Sequence, residues 1–348
     1  MIRSPLLSGL RRRPRFFWLG VNAAVLAAGL LAAAACMGTR QGVAADSRPV
    51  PLAEVGPATA GGLAFRGAIE VTGTGARSLS GLVVDDSGRR FTAVSDNGKL
   101  VRGRLLYDEA GRLAGAADLS VRTLPGTRFV TGRPRRSDSE DLARLPDGGW
   151  LVSFERDHRI ERYGGGGDGP SGSPTELPPP PGLEDAPFNG GIEALAALPD
   201  GRVLALEEGD DNGRPERRGW IGQMPLSLPR AWQPVTYRAA PGFRPTGAAA
   251  LPSGDVLVLE RRVSLLGGWG GRITRVPAAS LRPGATLAGT TLVGEEMARL
   301  ESPLPADNYE GISAVTGPRG ETLVFVVSDD NTNPLQRTLL LMFAMGGE

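Results

Sequence analysis

Acidic residues recur in this chain at the edges of short apolar segments. Glu140, Glu193 and Glu310 stand just before or at the start of such segments. Asp96, Glu155, Glu207, Glu260 and Asp329 stand at the ends of the segments that follow. Carboxylates brought to one place repel unless something neutralises them. Oxygen-only sets of Asp, Glu and Asn suit Ca2+, and less readily Mg2+ or Mn2+. Glu140, Glu193 and Glu310 are therefore the first-choice catalytic carboxylates and ligands, with Asp96, Glu155, Glu207, Glu260 and Asp329 next as metal ligands. Arginines lie close in sequence, and their forked guanidinium groups could pair with the acids or hold a phosphate or carboxylate. Arg156 and Arg261 are the candidates for a substrate anion. A plainer explanation exists for each acid alone, because "SDNG" and "EEGDDNG" are good turn sequences. Three glutamates at matching positions ask for more.

Other chemistries are excluded by residue count. His158 is the only histidine and Cys36 the only cysteine. Neither a zinc site of the usual His/Cys kind nor a Cys–His pair can be built from them. A Ser-His-Asp triad would have to use His158 in "FERDHRIERY", a charged stretch that reads as a hairpin edge. "GGGGDG" and "GGWGG" lack the Lys-Ser/Thr ending of a phosphate loop.

The elements that must position the acids come from one repeated hairpin. It runs from Leu79 ("LSGLVVDDSGRRFTAVSDNG"), Ser139 ("SEDLARLPDGGWLVSFERDH"), Gly191 ("GIEALAALPDGRVLALEEGD"), Pro245 ("PTGAAALPSGDVLVLERR") and Tyr309 ("YEGISAVTGPRGETLVFVVSDDN"). In "LPDG" and "LPSG", Pro presets φ, Asp or Ser bonds nearby backbone, and Gly accepts positive φ. The runs after the turns, such as "WLVSF" and "TLVFVV", are too short for helices and rich in strand formers. The turn glycines Gly88, Gly148, Gly201, Gly254 and Gly320 recur at roughly 50 to 65 residues, a propeller-blade spacing. Fifty glycines and 29 prolines in 348 residues also favour many short strands.

The expected fold is all-β: a propeller of five or six blades, closed by the N- and C-terminal segments together. The long interval from Gly254 to Gly320 leaves room for a poorly matching blade or a long loop. A β-sandwich or two small β-domains would not predict one repeated hairpin. Because hairpin strands are antiparallel, the start of the first and the end of the second share an edge. The acids of all five copies should therefore gather at one mouth of the central channel.

Residues 1–35 read as an export signal, with five arginines, no acid, and an apolar run ending in small residues. That run is also nearly long enough for a membrane-anchoring helix. "LLAAAAC" resembles a bacterial lipoprotein signal with Cys36 as the lipidated residue, except that Ala33 replaces the usual leucine. Residues 36–60 read as a flexible tether, and 61–348 as the propeller domain. Removing the five arginines takes the formal charge from +1 to −4, which argues against nucleic acid as a partner.

The segments "SGL…VSDNG", "SEDLARLPDGGWLVSFERDHRI", "GIEALAALPDGRVLALEE" and "NYEGI…SDDN" resemble the phytase-like family, described as having esterase-like activity of phytase. The resemblance spans about Gly75 to Gln336, with blocks matching in order. It implies an exported propeller with phosphoesterase activity. Calcium-dependent propeller phytases, a more distant comparison, hold calcium at acidic channel mouths. Lys99 is the only lysine, so arginine would have to supply the phosphate contacts.

The expectation is an exported, periplasmic or outer-envelope monomer acting with Ca2+ on a small phosphorylated or ester substrate. Membrane contact would come only through the N-terminal signal or lipid. The competing class is a non-catalytic cell-envelope binding or scaffold propeller using the same mouth.

Overall fold

The computed structural model describes residues 45–51, 59–73, 75–127, 134–165, 169–210, 213–264, 268–281, 289–302, 304–305 and 307–346. The expected export signal and Cys36 lie outside the described residues.

The chain begins with β1 (Asp46–Pro49), β2 (Thr59–Ala60) and β3 (Leu63–Thr72), which wait for partners from the far end. Blade I is β4 (Leu79–Val84), β5 (Arg90–Ser95), β6 (Lys99–Tyr107) and β7 (Leu113–Thr123). Blade II is β8 (Ser139–Arg144), β9 (Trp150–Phe154), β10 (Arg159–Gly165) and β11 (Pro170–Glu176). Blade III is β12 (Ile192–Ala197), β13 (Arg202–Glu207), β14 (Glu216–Gln223) and β15 (Trp232–Arg238). Blade IV opens with β16 (Arg244–Ala250), β17 (Val256–Ser264) and β18 (Gly268–Val276). The chain then lays β19 (Thr291–Val293) parallel against β15 of blade III before β20 (Glu295–Leu300) completes blade IV. The long interval before Gly320 is thus a stitch between two blades, with no sixth blade. Blade V takes β21 (Asn308–Thr316), β22 (Thr322–Asp329) and β23 (Leu339–Met345), then β3, β1 and β2. Five blades close through both ends of the chain, as expected.

One boundary needs correction. Residues 36–60, expected to be a tether, contribute strand pairs within their described part: Asp46–Pro49 with Ile69–Thr72, and Thr59–Ala60 with Leu63–Ala64. Asp46–Pro49 and Thr59–Ala60 therefore belong to the sheet of blade V.

The repeated turns explain the repeated hairpins. Gly88, Gly148, Gly201, Gly254 and Gly320 hold φ between 66 and 87°, the left-handed region that a side chain resists. The runs after them bury both faces because a blade packs on a neighbour at each side. In β22, Val324 and Val326 pack toward blade IV, while Phe325 and Val327 pack toward blade I. The core is accordingly five apolar clusters, one at each seam between blades. Strands β4, β8, β12, β16 and β21 pack in a ring around the central channel.

Candidate active site at the acidic mouth

Each inner hairpin carries a β-bulge at the same place. The ladders shift register between Leu79 and Leu82, Ser139 and Leu142, Ile192 and Ala194, Pro245 and Gly247, and Tyr309 and Gly311. The extra residue includes Ser80, Glu140, Glu193, Thr246 or Glu310 in turn. A bulge bends its strand and re-aims a side chain, which is why bulges gather beside functional sites. Just before it, the last pair of the hairpin is Ser78 with Asp96, Asp138 with Glu155, Gly191 with Glu208, Arg244 with Arg261, and Asn308 with Asp329. Three positions from each blade thus form one mouth of the channel.

These positions hold eight carboxylates against two guanidinium groups. Their distribution is uneven. Blade II contributes only acids: Asp138, Glu140 and Glu155. Blade IV contributes Arg244, Thr246 and Arg261, and no acid.

Arg261 neutralises the far half of the mouth. Its Nη1 donates to Asn308 Oδ1 (2.6 Å) and to Glu310, and its Nη2 to Glu208 Oε1 (2.7 Å), with Glu193 Oε2 4.0 Å away. Arg244 Nη1 lies 3.5 Å from the same Glu208 oxygen. The three carboxylates keep the Arg261 cation well above its ordinary pKa despite the opposing effect of burial.

The blade II half has a different balance. One ligand oxygen from each of Asp138, Glu140 and Glu155 lies within 4.8 Å of the others. Asp138 is 3% exposed. Its Oδ2 lies 2.8 Å from Arg156 Nη1, yet the geometry delivers no hydrogen bond to that buried oxygen. Burial pushes Asp138 up to about 6, with Arg156 opposing and Asp96 reinforcing the rise. Glu155 is pushed up to about 7, by burial first and then by Asp138 and Glu208. Glu140 lies well above its ordinary range through burial and then the charges of Asp96, Asp138, Glu155 and Glu310. Three crowded oxygen donors, one of them buried with an unused lone pair, fit a hard divalent cation.

The backbone around this face is strained as well. Among the described residues, Ser78, Asp118, Arg156, Asn331 and Thr332 are the non-glycine residues with positive φ, and all but Asp118 flank mouth positions. Such conformations persist where surrounding structure enforces them, and they collect at functional sites.

A family model described as "Phytase-like: Esterase-like activity of phytase" matches residues 74–332. The chain belongs to the phytase-like family. No curated protein matches the sequence of this phytase-like chain. Among solved structures it is similar to the α-L-arabinofuranosidase PaAbf62A from Podospora anserina, at 12% identity and TM-score 0.46, covering 78% of this chain and 92% of that one. It is also similar to virginiamycin B lyase from Staphylococcus aureus, at 11% identity and TM-score 0.39, covering 86% and 99%. A third likeness is to the β-propeller domain of Cps50 (Swd1) from Myceliophteria thermophila, at 11% identity and TM-score 0.38, covering 88% and 99%.

The expected site residues divide three ways. Glu140, Glu155, Asp96 and Asp329 stand at the mouth, with Asp96 bound by Ser80 Oγ (2.5 Å) and Asp329 by Asn308 Nδ2 (3.3 Å). Glu193 and Glu310 also reach the mouth, but on the half that Arg261 neutralises. Glu207 and Glu260, expected as metal ligands, do not join them. Each stands one residue before the mouth position and so faces the other side of its strand. Glu207 is paired with Arg218. Glu260 accepts from Tyr237 Oη and from Arg272 Nη1 (2.8 Å), joining blades III and IV. Arg261, expected to bind a substrate anion, is instead an internal counter-ion. Arg156, 40% exposed on its side chain, keeps room for one.

Sequence reasoning missed Asp138, Arg244 and Asn308 as mouth residues, and placed Glu208 there only as an additional candidate behind Glu207. A signal for two corrections was present: seven residues after Gly148, Gly201 and Gly254 come Glu155, Glu208 and Arg261. It also missed Asp141, whose buried carboxylate accepts from Leu142 N–H (2.8 Å) and from Leu195 N–H (2.7 Å) in the next blade. Gly81 makes room for it, since a Cβ there would lie 2.7 Å from Asp141 Cα.

The opposite mouth, where the tight turns lie, holds a cavity of about 510 Å3 lined largely by Leu82, Leu142, Leu195, Leu198, Leu251 and alanines. Among the described residues it has no comparable cluster of acids.

Proposed function

We propose that the chain hydrolyses a phosphoester at the blade II half of the mouth, with a Ca2+-type cation held by Asp138, Glu140 and Glu155. The observation that carries this reading is the Asp138 carboxylate, crowded by two further carboxylates and with its buried Oδ2 reached by no hydrogen bond. Membership of the phytase-like family supports the same reaction class. When bound, such a cation would offset phosphate charge and make water more acidic.

The chain's own residues supply the rest. Arg156 extends its exposed guanidinium to a phosphate oxygen, while its Nη1 stays beside Asp138. Water adds to phosphorus and gives its proton to Glu140, a carboxylate kept ionised beside the cation. The ester P–O bond breaks, and the departing oxygen takes the proton that Glu140 received from the water. Products are inorganic phosphate and the free alcohol. Glu193, Glu208 and Glu310 hold Arg261 in place across the mouth, where its charge is taken up by theirs.

The proposal includes export to the periplasm or outer envelope, with lipid attachment at Cys36 if the signal is of the lipoprotein type. The basic and apolar N-terminal run supports it. Mass spectrometry of the mature N-terminus checks this part.

The test of the reaction is hydrolysis of p-nitrophenyl phosphate and phytate by purified protein, stripped with chelator and then given Ca2+. Turnover that disappears on stripping and returns with Ca2+ is expected. Calorimetric Ca2+ binding without turnover of any phosphoester would instead favour the non-catalytic binding propeller.

A further inference from the structure

The loop 187–191 beside the blade II acids holds an aromatic side chain out to solvent. Phe188 is 48% exposed, while its neighbours are tied down. His158 Nε2 contacts Pro187 O at 3.0 Å, and Arg156 Nε donates to Asn189 Oδ1 at 3.3 Å. Gly209 N–H donates to Gly190 O at 3.2 Å, and Glu208 N–H to Gly191 O at 2.9 Å. The backbone of Gly191 also binds the carboxylate of Glu155. A Cβ on Gly190 would lie 2.4 Å from Gly209 O, so the loop is locked against blade III. An exposed ring on a mobile tip would need no explanation. A ring held rigidly at the edge of a charged site has the properties of a stacking platform, because little freedom is lost when a flat partner covers it.

Arg156 connects the ring to the acids. Its Cζ lies 6.0 Å from the Phe188 ring centroid, and its Nη1 lies 2.8 Å from Asp138 Oδ2. Its backbone is held at φ 61°, a conformation that arginine seldom adopts. One guanidinium is therefore shared between an aromatic face and the proposed cation site. The wider mouth sets a second constraint. Its eight carboxylates and two guanidiniums repel a ligand carrying many phosphates, whereas a single phosphate can be matched by one cation and Arg156.

We infer that the substrate is a monoester with one phosphate, on an alcohol whose flat ring stacks on Phe188. The inference rests on the phosphoesterase reading for the reaction but on Phe188 for the leaving group. The ring of the alcohol lies on Phe188, the phosphate reaches past Arg156 to Asp138, and a densely phosphorylated ring is disfavoured.

Benzyl phosphate and propyl phosphate test this, because their leaving alcohols have similar acidity and differ in the ring. With Ca2+ present, benzyl phosphate should show a KM about tenfold lower than propyl phosphate, the scale of one aromatic contact. Phe188→Ala should abolish that difference in KM, and Phe188→Tyr should retain it. Phytate should be the poorest of the three. Binding of benzylphosphonate and propylphosphonate, which cannot be hydrolysed, is measured in parallel by calorimetry. Equal binding of the two phosphonates, or a benzyl preference that survives Phe188→Ala, overturns the inference. Ring-dependent binding with no turnover of any ester upholds the ring site on Phe188 for a monophosphate ligand and overturns the hydrolase reading alone.

Discussion

Blade II and blade IV are one hairpin built twice, with the same bulge, the same turn glycine and the same three mouth positions. Blade II fills those positions with Asp138, Glu140 and Glu155; blade IV fills them with Arg244, Thr246 and Arg261. Backbone geometry is therefore not what distinguishes the two sides. The difference lies in counter-charge. Around Arg261, carboxylates and cation satisfy each other, and little is left for a ligand. Around Asp138, three carboxylates share one exposed arginine, and a buried carboxylate oxygen is left without a hydrogen bond. Burial raises the proton affinity of Glu193 and Glu310 in the other half as well. A symmetric scaffold acquires a site by leaving one sector electrostatically incomplete.

The sharpest way to break the comparison is to remove the cation of blade IV. Arg261→Met leaves Glu193, Glu208 and Glu310 buried without their partner. By analogy with other broken buried pairs, stability should fall by about 3–5 kcal/mol. Urea unfolding measures it, and a loss under about 1 kcal/mol would show that the carboxylates do not depend on Arg261.

The mirror experiment is in blade II. Asp138→Asn should lower Ca2+-dependent turnover about 100-fold, while leaving the metal-free protein as stable as wild type or slightly more so. Relief of like-charge crowding is the reason. Parallel losses of activity and metal-free stability would mean that Asp138 is structural, like Glu260.

Glu260→Gln supplies that control. Its carboxylate meets Tyr237 and Arg272 between blades, so about 1–3 kcal/mol of stability should disappear while Ca2+ affinity is unchanged. Weakened Ca2+ binding in this variant would put Glu260 back among the ligands.

The smallest effect is with pH. Asp138 holds its proton more tightly in the folded chain, at about 6, than at its ordinary value of 3.8. Between those values the folded state binds more protons than the unfolded one, so metal-free stability falls as pH rises. A cation favours the ionised carboxyls and opposes this trend. Thermal unfolding should therefore show a larger Ca2+-induced rise in Tm at pH 7 than at pH 5. An equal rise at both would place the cation away from Asp138.

Much of this was legible in the chain itself. The five turn glycines, the apolar runs after them and the antiparallel logic of a hairpin were enough to expect a ring of blades with acids at one mouth. Glu140, Glu193 and Glu310 align because each belongs to the bulge of its inner strand. Glu207 and Glu260 misled because charged neighbours, Glu207–Glu208 and Glu260–Arg261, sit where strand alternation decides which residue faces the channel. A shift of one residue reverses the face. Asp138 and Asn308 were hidden because they precede the recognisable apolar segment.

Residue order alone determined the repeat, the turns and the alternation of buried faces, since these follow from local conformational preference and period-two strand geometry. It also determined how many charges of each sign exist. Only the tertiary structure decided which charges meet. Arg261 reaches Glu208 of blade III and Glu310 of blade V, across sequence separations of 53 and 49 residues. Asp138 meets no equivalent partner beyond Arg156. Electrostatic energy depends on distance and burial, and neither exists for a side chain until the ring closes.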